Sequence, residues 1–267
     1  MKPNKHIQRD GEANKIFDNR SLTNDYRNLI SILKPGIKVL DVGCGTGSIS
    51  KDIATIVGEN GKVTGIDNTE KFISSGKESY QNIKNLELIH VDLFDFNPEE
   101  KFDLIVSART LQWLSNPKEA LIKMKSLLKP NGQISILDYD HTNLNWNPSP
   151  PESMQEFYNT FLKWRHDAVM NNRIAEDLPA LLEEVGFHSV EKINSDEFYN
   201  EERADYKSKI GIWSKVAGSL QMVEEGYLEN DLRLKAIANR KFSSACGAIW
   251  QRTCFGSTGL KVRILPR

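Results

Sequence analysis

At 267 residues, 39% hydrophobic and 27% charged, the chain has the composition of a globular protein with room for one large α/β domain. A formal net charge of −1 gives no general attraction to nucleic acid or to an anionic membrane, and no apolar run approaches the roughly 20 residues of a membrane span. Three scattered cysteines make neither a disulfide framework nor a metal-ligand cluster, and Met1–His6 lacks the apolar core of a secretory signal, so no metal and a cytoplasmic setting are expected.

Apolar positions at Ile16, Phe17, Leu22, Tyr26, Leu29, Ile30 and Leu33 follow a loose helical period, which predicts a helix over 12–33 stopped by Lys34-Pro35-Gly36. A regular alternation follows. Short apolar runs at Lys38–Val42, Lys62–Ile66, Leu86–Val91, Phe102–Ser107 and Gln133–Leu137 read as strands, and stretches near Ser48–Val57, Glu70–Tyr80 and Pro117–Leu128 read as helices. Such a pattern implies right-handed crossovers and a mostly parallel sheet covered on both faces. The runs are apolar on successive residues, as buried parallel strands require.

Beyond Tyr139 the texture changes. Residues 140–152 are rich in Asn, Pro and Ser and read as a loop; an aromatic helix follows around Met154, Phe157, Tyr158, Phe161, Leu162 and Trp164. Leu178–Val185 predicts another helix, His188–Ile193 a sixth strand, residues 201–239 more helix, and Ala248–Phe255 a seventh strand. No acidic residue follows Asp231, while eight basic ones do, which leaves residues 1–231 at a formal charge of about −9. The expected organisation is a single domain over 1–267. Its core spans about 34–139 and 177–194, its helical cap about 1–33, 140–176 and 200–239, and the basic stretch 240–267 stays unassigned between an arm and a terminal segment outside the core.

The segment Val39–Gly47 places a strand, a glycine turn and a helix start in sequence, the first crossover of a doubly wound sheet, where ligands meet the carboxyl ends of strands. Its glycines at 43, 45 and 47 let backbone approach a ligand closely, and their spacing departs from the dinucleotide fingerprint. Asp41, just before the first glycine, opposes a pyrophosphate and suits a ligand bearing an ammonium group. Asp67 ends the second strand, 20 residues beyond Gly47, about where a carboxylate meets ribose hydroxyls; a helix cap is the competing role there, for Asn68 or Thr69 as well. Asp92 follows the third strand, placed either to take an adenine amino group or to serve as a solvated turn residue. Leu93 would back the ring, while Phe72 either covers its other face or packs in the core.

In order and spacing, Val39–Gly47, Gly65-Ile66-Asp67, Val91-Asp92-Leu93, Phe102–Ser107 and Leu128–Gly132 resemble the class I S-adenosylmethionine-dependent methyltransferases, over roughly residues 30–140. The resemblance implies an α/β, doubly wound, Rossmann-like, seven-stranded, mostly parallel sheet whose last strand is antiparallel, with an added helical lid. It implies S-adenosylmethionine as cofactor, with Asp41, Gly43, Cys44, Gly45 and Gly47 at the methionyl part, Asp67 at the ribose and Asp92 at the adenine, and with Asn68 and Ser107 as further cofactor-binding residues.

Methyl transfer is an in-line displacement on an already activated sulfonium methyl, so the protein must align the nucleophile, exclude water and, for some acceptors, remove a proton. A small-molecule acceptor is expected near Ser107–Leu114 and Tyr139–His141. Gln112-Trp113 is similar to the pair found in carboxylate methyltransferases such as those acting on trans-aconitate or acyl-carrier-bound malonate. A carboxylate would need a cation, for which Arg109 and Arg165 are candidates. For a hydroxyl acceptor, His141 is the candidate base. Tyr26, Tyr139 and Trp164, with Trp146, Tyr158 and Trp213, are candidate pocket walls, although aromatics at helical spacing also build cores. The competing readings are a nicotinamide-dependent oxidoreductase and a non-catalytic cofactor-binding protein.

Overall fold

The computed structural model describes residues 20–147, 149–199, 212–245, 252–255 and 257–263. Its centre is a parallel sheet in the order β3-β2-β1-β4-β5, built from Lys38–Val42 (β1), Lys62–Asp67 (β2), Leu86–His90 (β3), Phe102–Ala108 (β4) and Leu128–Tyr139 (β5). The reversal of strand order between β1 and β4 opens a crevice at the carboxyl ends of the strands. Four of the five β1 residues and five of the six β2 residues are buried, which accounts for the continuous apolar runs. Helices Ser48–Val57, Glu70–Ser79, Pro117–Leu127 and Ile174–Glu184 pack against the sheet and bury two apolar layers.

Past β5, Ser257–Arg263 (β10) pairs antiparallel with β5 on one side and with Val190–Asn194 (β7) on the other. The strand expected at Ala248–Phe255 is therefore misplaced. Residues 248–251 lie outside the described residues, and Arg252–Phe255 (β9) pairs instead with Asn145–Asn147 (β6) and Glu197–Tyr199 (β8) in a small antiparallel sheet. Leu260 and Val262 stand at alternate positions of β10, the period-two pattern of an antiparallel strand.

Other boundaries also shift. The helix expected over 12–33 falls partly on residues 1–19, outside the described residues; the remainder is one turn, Leu22–Asp25, and a 3₁₀ segment, Arg27–Ile32, broken at Tyr26 by φ −148° and ψ 43°. Leu22, Tyr26, Leu29 and Leu33 join the apolar layer over β1 and β4. β5 begins at Leu128 because Leu128 pairs with Phe102 while Gln133 pairs with Leu104, so Lys129–Gly132 form a bulge inside the strand. The stretch expected as loop, 140–152, contains a 3₁₀ turn at His141–Asn143 and the strand β6. Residues 200–211 lie outside the described residues; the rest of the expected 201–239 helix is three pieces, Ile212–Val216, Gln221–Glu224 and Asn230–Ala245.

Above the sheet's edge, the helix Glu152–Asp167 carries Met154, Phe157, Tyr158, Phe161 and Trp164 on its buried face. These pack with Trp213, Ala217 and Met222 as a second, aromatic core. No described helix is long and apolar enough to cross a membrane.

Candidate active site

The glycine loop folds back on the end of β2. Gly43 and Cys44 donate backbone N–H groups to Ile66 O at 2.8 and 3.1 Å, and Gly47 donates to Cys44 O at 3.0 Å. Gly43 adopts φ +74°, and a Cβ there would lie 2.2 Å from Thr110 Oγ1, so both conformation and space require glycine. Gly76, in the Glu70–Ser79 helix, lets that helix press on the loop: a Cβ would fall 2.2 Å from Thr46 O. Cys44 is half-buried, and burial pushes its thiol pKa up. Thr46 is buried, and its Oγ1 has no hydrogen-bond partner among the described residues.

Two carboxylates flank this loop, one bonded to it and one to the helix that follows it. Asp41, at the end of β1, accepts from Ser50 Oγ at 2.6 Å; burial raises its pKa to about 6, opposed by the Ser50 bond and aided by the nearby Asp67. Asp67 accepts from Gly45 N at 3.0 Å through one oxygen and from Thr69 N at 2.9 Å through the other. Asp67 thus shapes both the glycine loop and the turn that leads into the next helix, whose N-cap is Thr69. Asn68 is exposed, its backbone carbonyl bonded to His90 Nε2 at 3.2 Å. Asp92 is half-buried and turns the chain by accepting from Phe94 N at 3.0 Å. Leu93 packs on the apolar layer beneath β4 and β5, and Phe72 is 1% exposed, a packed side chain rather than an open ring surface. Ser107 is buried and donates to Val42 O at 2.9 Å, clamping β4 to β1 under the loop.

On the acceptor side the structure separates the candidates. Arg109 follows β4 with φ +59°, and its Nη1 meets Asp25 Oδ1 at 3.1 Å in an almost fully buried ion pair. Its positive charge is neutralised internally, which corrects its reading as a cation for the acceptor. Tyr26 is buried in the sheet's apolar layer with its hydroxyl 2.8 Å from Ser135 Oγ; burial raises the phenol pKa, and the residue is core rather than lid. Trp164 likewise belongs to the cap's core, with Nε1 donating to Glu225 at 2.9 Å. Arg165 is wholly buried, its guanidinium 4.7 Å over the Trp113 ring, with Nε donating to Asn172 Oδ1 at 2.8 Å and Nη2 to Gln112 O at 2.7 Å. Burial lowers its pKa to about 10, against the attraction of Asp138.

Gln112, His141 and Tyr139 do come together. Gln112 is buried; its Nε2 donates to Arg109 O at 3.2 Å, and its Oε1 lies 2.6 Å from His141 Nε2. His141 is 9% exposed, pinned through its backbone by Asn172 O at 2.8 Å and Tyr158 Oη at 2.5 Å. Its ring faces Tyr139, Phe161 and Trp213 with centroids at 5.6, 6.0 and 6.2 Å. Burial, and then the charge of Arg165, hold its pKa well below the usual imidazole value. It is a buried group in an aromatic cage, not a solvated loop histidine.

Asp138 escaped the sequence reading. It is fully buried near the end of β5 and accepts from Gln112 N at 3.1 Å and Tyr139 N at 3.0 Å, so it ties the two acceptor-side loops together. Burial lifts its pKa to about 7. The available signal was a carboxylate at the carboxyl end of a strand, the feature that singled out Asp41, Asp67 and Asp92.

This arrangement of crevice, glycine loop and strand-end carboxylates agrees with the comparisons. Residues 33–205 match the methyltransferase domain family, and the chain belongs to that family. It is 29% identical over 176 residues to demethylmenaquinone methyltransferase of Staphylococcus aureus (strain JH9), covering 59% of this chain and 70% of the relative. In fold it is similar to a SAM dependent methyltransferase from Aquifex aeolicus, with a TM-score of 0.57 at 20% identity over 97% of this chain and 100% of that one. A Haemonchus contortus phosphoethanolamine N-methyltransferase 2, solved with phosphomonomethylethanolamine and S-adenosylhomocysteine, gives 0.55 at 16% identity over 91% and 53%.

Proposed function

We propose that this protein transfers a methyl group from S-adenosylmethionine to a small-molecule acceptor held between the carboxyl ends of β4 and β5 and the aromatic cap. The single observation that carries the reading is that Asp41, Asp67 and Asp92 stand at or just past the carboxyl ends of the neighbouring strands β1, β2 and β3, with Asp67 bonded to the glycine loop. A cationic donor matches this acidic edge, whereas a pyrophosphate would be repelled by Asp41. The relatives' names support the donor, and demethylmenaquinone methyltransferase is a relative that acts on a small molecule.

Of the two acceptor classes, a hydroxyl fits better than a carboxylate. Arg109 is paired with Asp25, and the Arg165 guanidinium lies against the Trp113 ring while donating to two protein oxygens. Arg109 is therefore neutralised by Asp25, and Arg165, although its Nη1 finds no hydrogen-bond partner among the described residues, is wholly buried rather than an open charge for a carboxylate.

The test is calorimetric titration of the purified protein with S-adenosylhomocysteine and, separately, with NAD, followed by assay of S-adenosylhomocysteine release on hydroxyl and carboxylate acceptors. Binding of S-adenosylhomocysteine with turnover on a hydroxyl acceptor is expected. Binding of NAD alone would establish the oxidoreductase reading instead.

A further inference from the structure

Two polar atoms in the aromatic cage have complementary and unused hydrogen-bonding capacity. The first belongs to His141. Gln112 Nε2 donates to Arg109 O, which turns its amide oxygen toward His141, and that oxygen can only accept. His141 Nε2 therefore carries the hydrogen, and in the neutral ring Nδ1 holds the lone pair; Nδ1 makes no hydrogen bond with any described residue. The second is Trp213 Nε1, an indole donor sealed from solvent with no acceptor among the described residues, on a residue 8% exposed. An unmatched buried donor is costly and uncommon. The two rings meet edge to face with centroids 6.2 Å apart, and Tyr158 stands edge-on to Trp213 at 4.7 Å.

We propose, resting on the methyltransferase reading above, that the cage takes an uncharged aromatic hydroxyl compound. Its oxygen accepts from Trp213 Nε1 and donates to His141 Nδ1, and Gln112 is the positioning residue that fixes the imidazole tautomer. In the reaction the hydroxyl oxygen attacks the donor methyl. The O–CH₃ bond forms as the C–S⁺ bond breaks, the bonding pair stays on sulfur as S-adenosylhomocysteine, and the hydroxyl proton passes to Nδ1. The donor's positive charge thus reappears on the imidazolium, beside Arg165, which favours onward loss of the proton.

A weakly basic histidine suffices here. An alkylated hydroxyl becomes strongly acidic as the new bond forms, so the proton leaves in the same step. The surrounding charges fit this sequence. Arg165, on the Glu152–Asp167 helix, is the charge that acts on the ring, and Tyr139 stands against it from the end of β5 with ring centroids 5.6 Å apart. Burial and Arg165 keep the resting ring neutral.

The test uses the full chain with S-adenosylmethionine and, as probes, a series of substituted phenols and naphthols against the matched benzoates and naphthoates. Methyl ethers are expected from the phenolic series. His141→Ala should lower kcat about a hundredfold or more, with the Kd for S-adenosylhomocysteine unchanged. Gln112→Leu should lower kcat, and Gln112→Glu, which keeps the acceptor, should restore it in part. Nitrogen-15 NMR of the wild-type imidazole should show the Nε2–H form, independently of how any variant folds. Methylation of the acids but not the phenols, an Nδ1–H ring, or a His141→Ala variant at the wild-type rate overturns the proposal while leaving the methyltransferase reading intact. Failure to bind S-adenosylhomocysteine at all overturns both.

Discussion

Asp25 and Arg109 form a buried ion pair, Oδ1 to Nη1 at 3.1 Å, that joins the first helical turn of the described chain to the loop after β4. Asp25 also accepts from Ser21 N at 3.1 Å, and the guanidinium lies 5.3 Å over the Tyr139 ring. The pair holds Arg109 at φ +59°, a region that costs a non-glycine residue about 1 kcal/mol or more. Removing one partner leaves a charge without its counter-ion in the interior. Asp25→Asn and Arg109→Met are each expected to lower stability by about 3–5 kcal/mol. The double variant should lose clearly less than the sum. Urea unfolding of the three variants measures this, and strictly additive losses would show that the two charges are not coupled.

Asp41 should make donor binding depend on pH. Its pKa of about 6 reflects burial, and a bound ammonium would favour the ionised form. Below pH 6, binding must expel a proton, so affinity for S-adenosylhomocysteine is expected to rise from pH 5 to 7 and then level. Adenosine, which lacks the ammonium, should show a flatter profile. Calorimetry across that range decides it, with Asp41→Asn expected to bind weakly and without the slope. Equal pH profiles for the two ligands would remove Asp41 from contact with the amine.

The elements legible in the sequence were those fixed locally. Continuous apolar runs marked β1 to β5 because parallel strands are buried on both faces, and glycine spacing with strand-end carboxylates marked the loop. What stayed hidden depends on partners distant in the chain. Nothing near Arg109 announces that its charge is met by Asp25, 84 residues earlier. Gln112 looked like a residue for the acceptor, yet its amide is held by Arg109 O and His141. Strand β10 has the alternating pattern but lies in a basic stretch, and its place is set by pairing with β5 and β7.

Asp67 bridges the loop and the following helix, so its loss should be felt in binding and folding together. Asp67→Ala removes acceptors from Gly45 N and Thr69 N. Affinity for S-adenosylhomocysteine is expected to fall by roughly 1–3 kcal/mol, with a lower Tm in the free protein. Asp67→Asn, which keeps one acceptor oxygen, should fall between. Calorimetry and thermal unfolding on the same samples separate the two effects. Unchanged affinity would refute a role at the ribose.

Asp138 gives a stability prediction whose sign is opposite to that of most carboxylates. Its folded pKa, about 7, lies above the unfolded value of 3.8, so between those limits the native protein binds more protons than the unfolded chain. Stability therefore falls as pH rises through that window, by up to about 1.4 kcal/mol per unit from this group. Asp41 contributes in the same direction up to about pH 6. His141, whose folded value is lowered, contributes oppositely as its unfolded form deprotonates. Asp138→Asn keeps one acceptor for Gln112 N or Tyr139 N and removes the titration. The variant's stability should fall less steeply than that of the wild type between pH 5 and 7 in urea unfolding. Parallel curves would mean that Asp138 is ionised throughout that range, held so by Arg165 and its backbone donors.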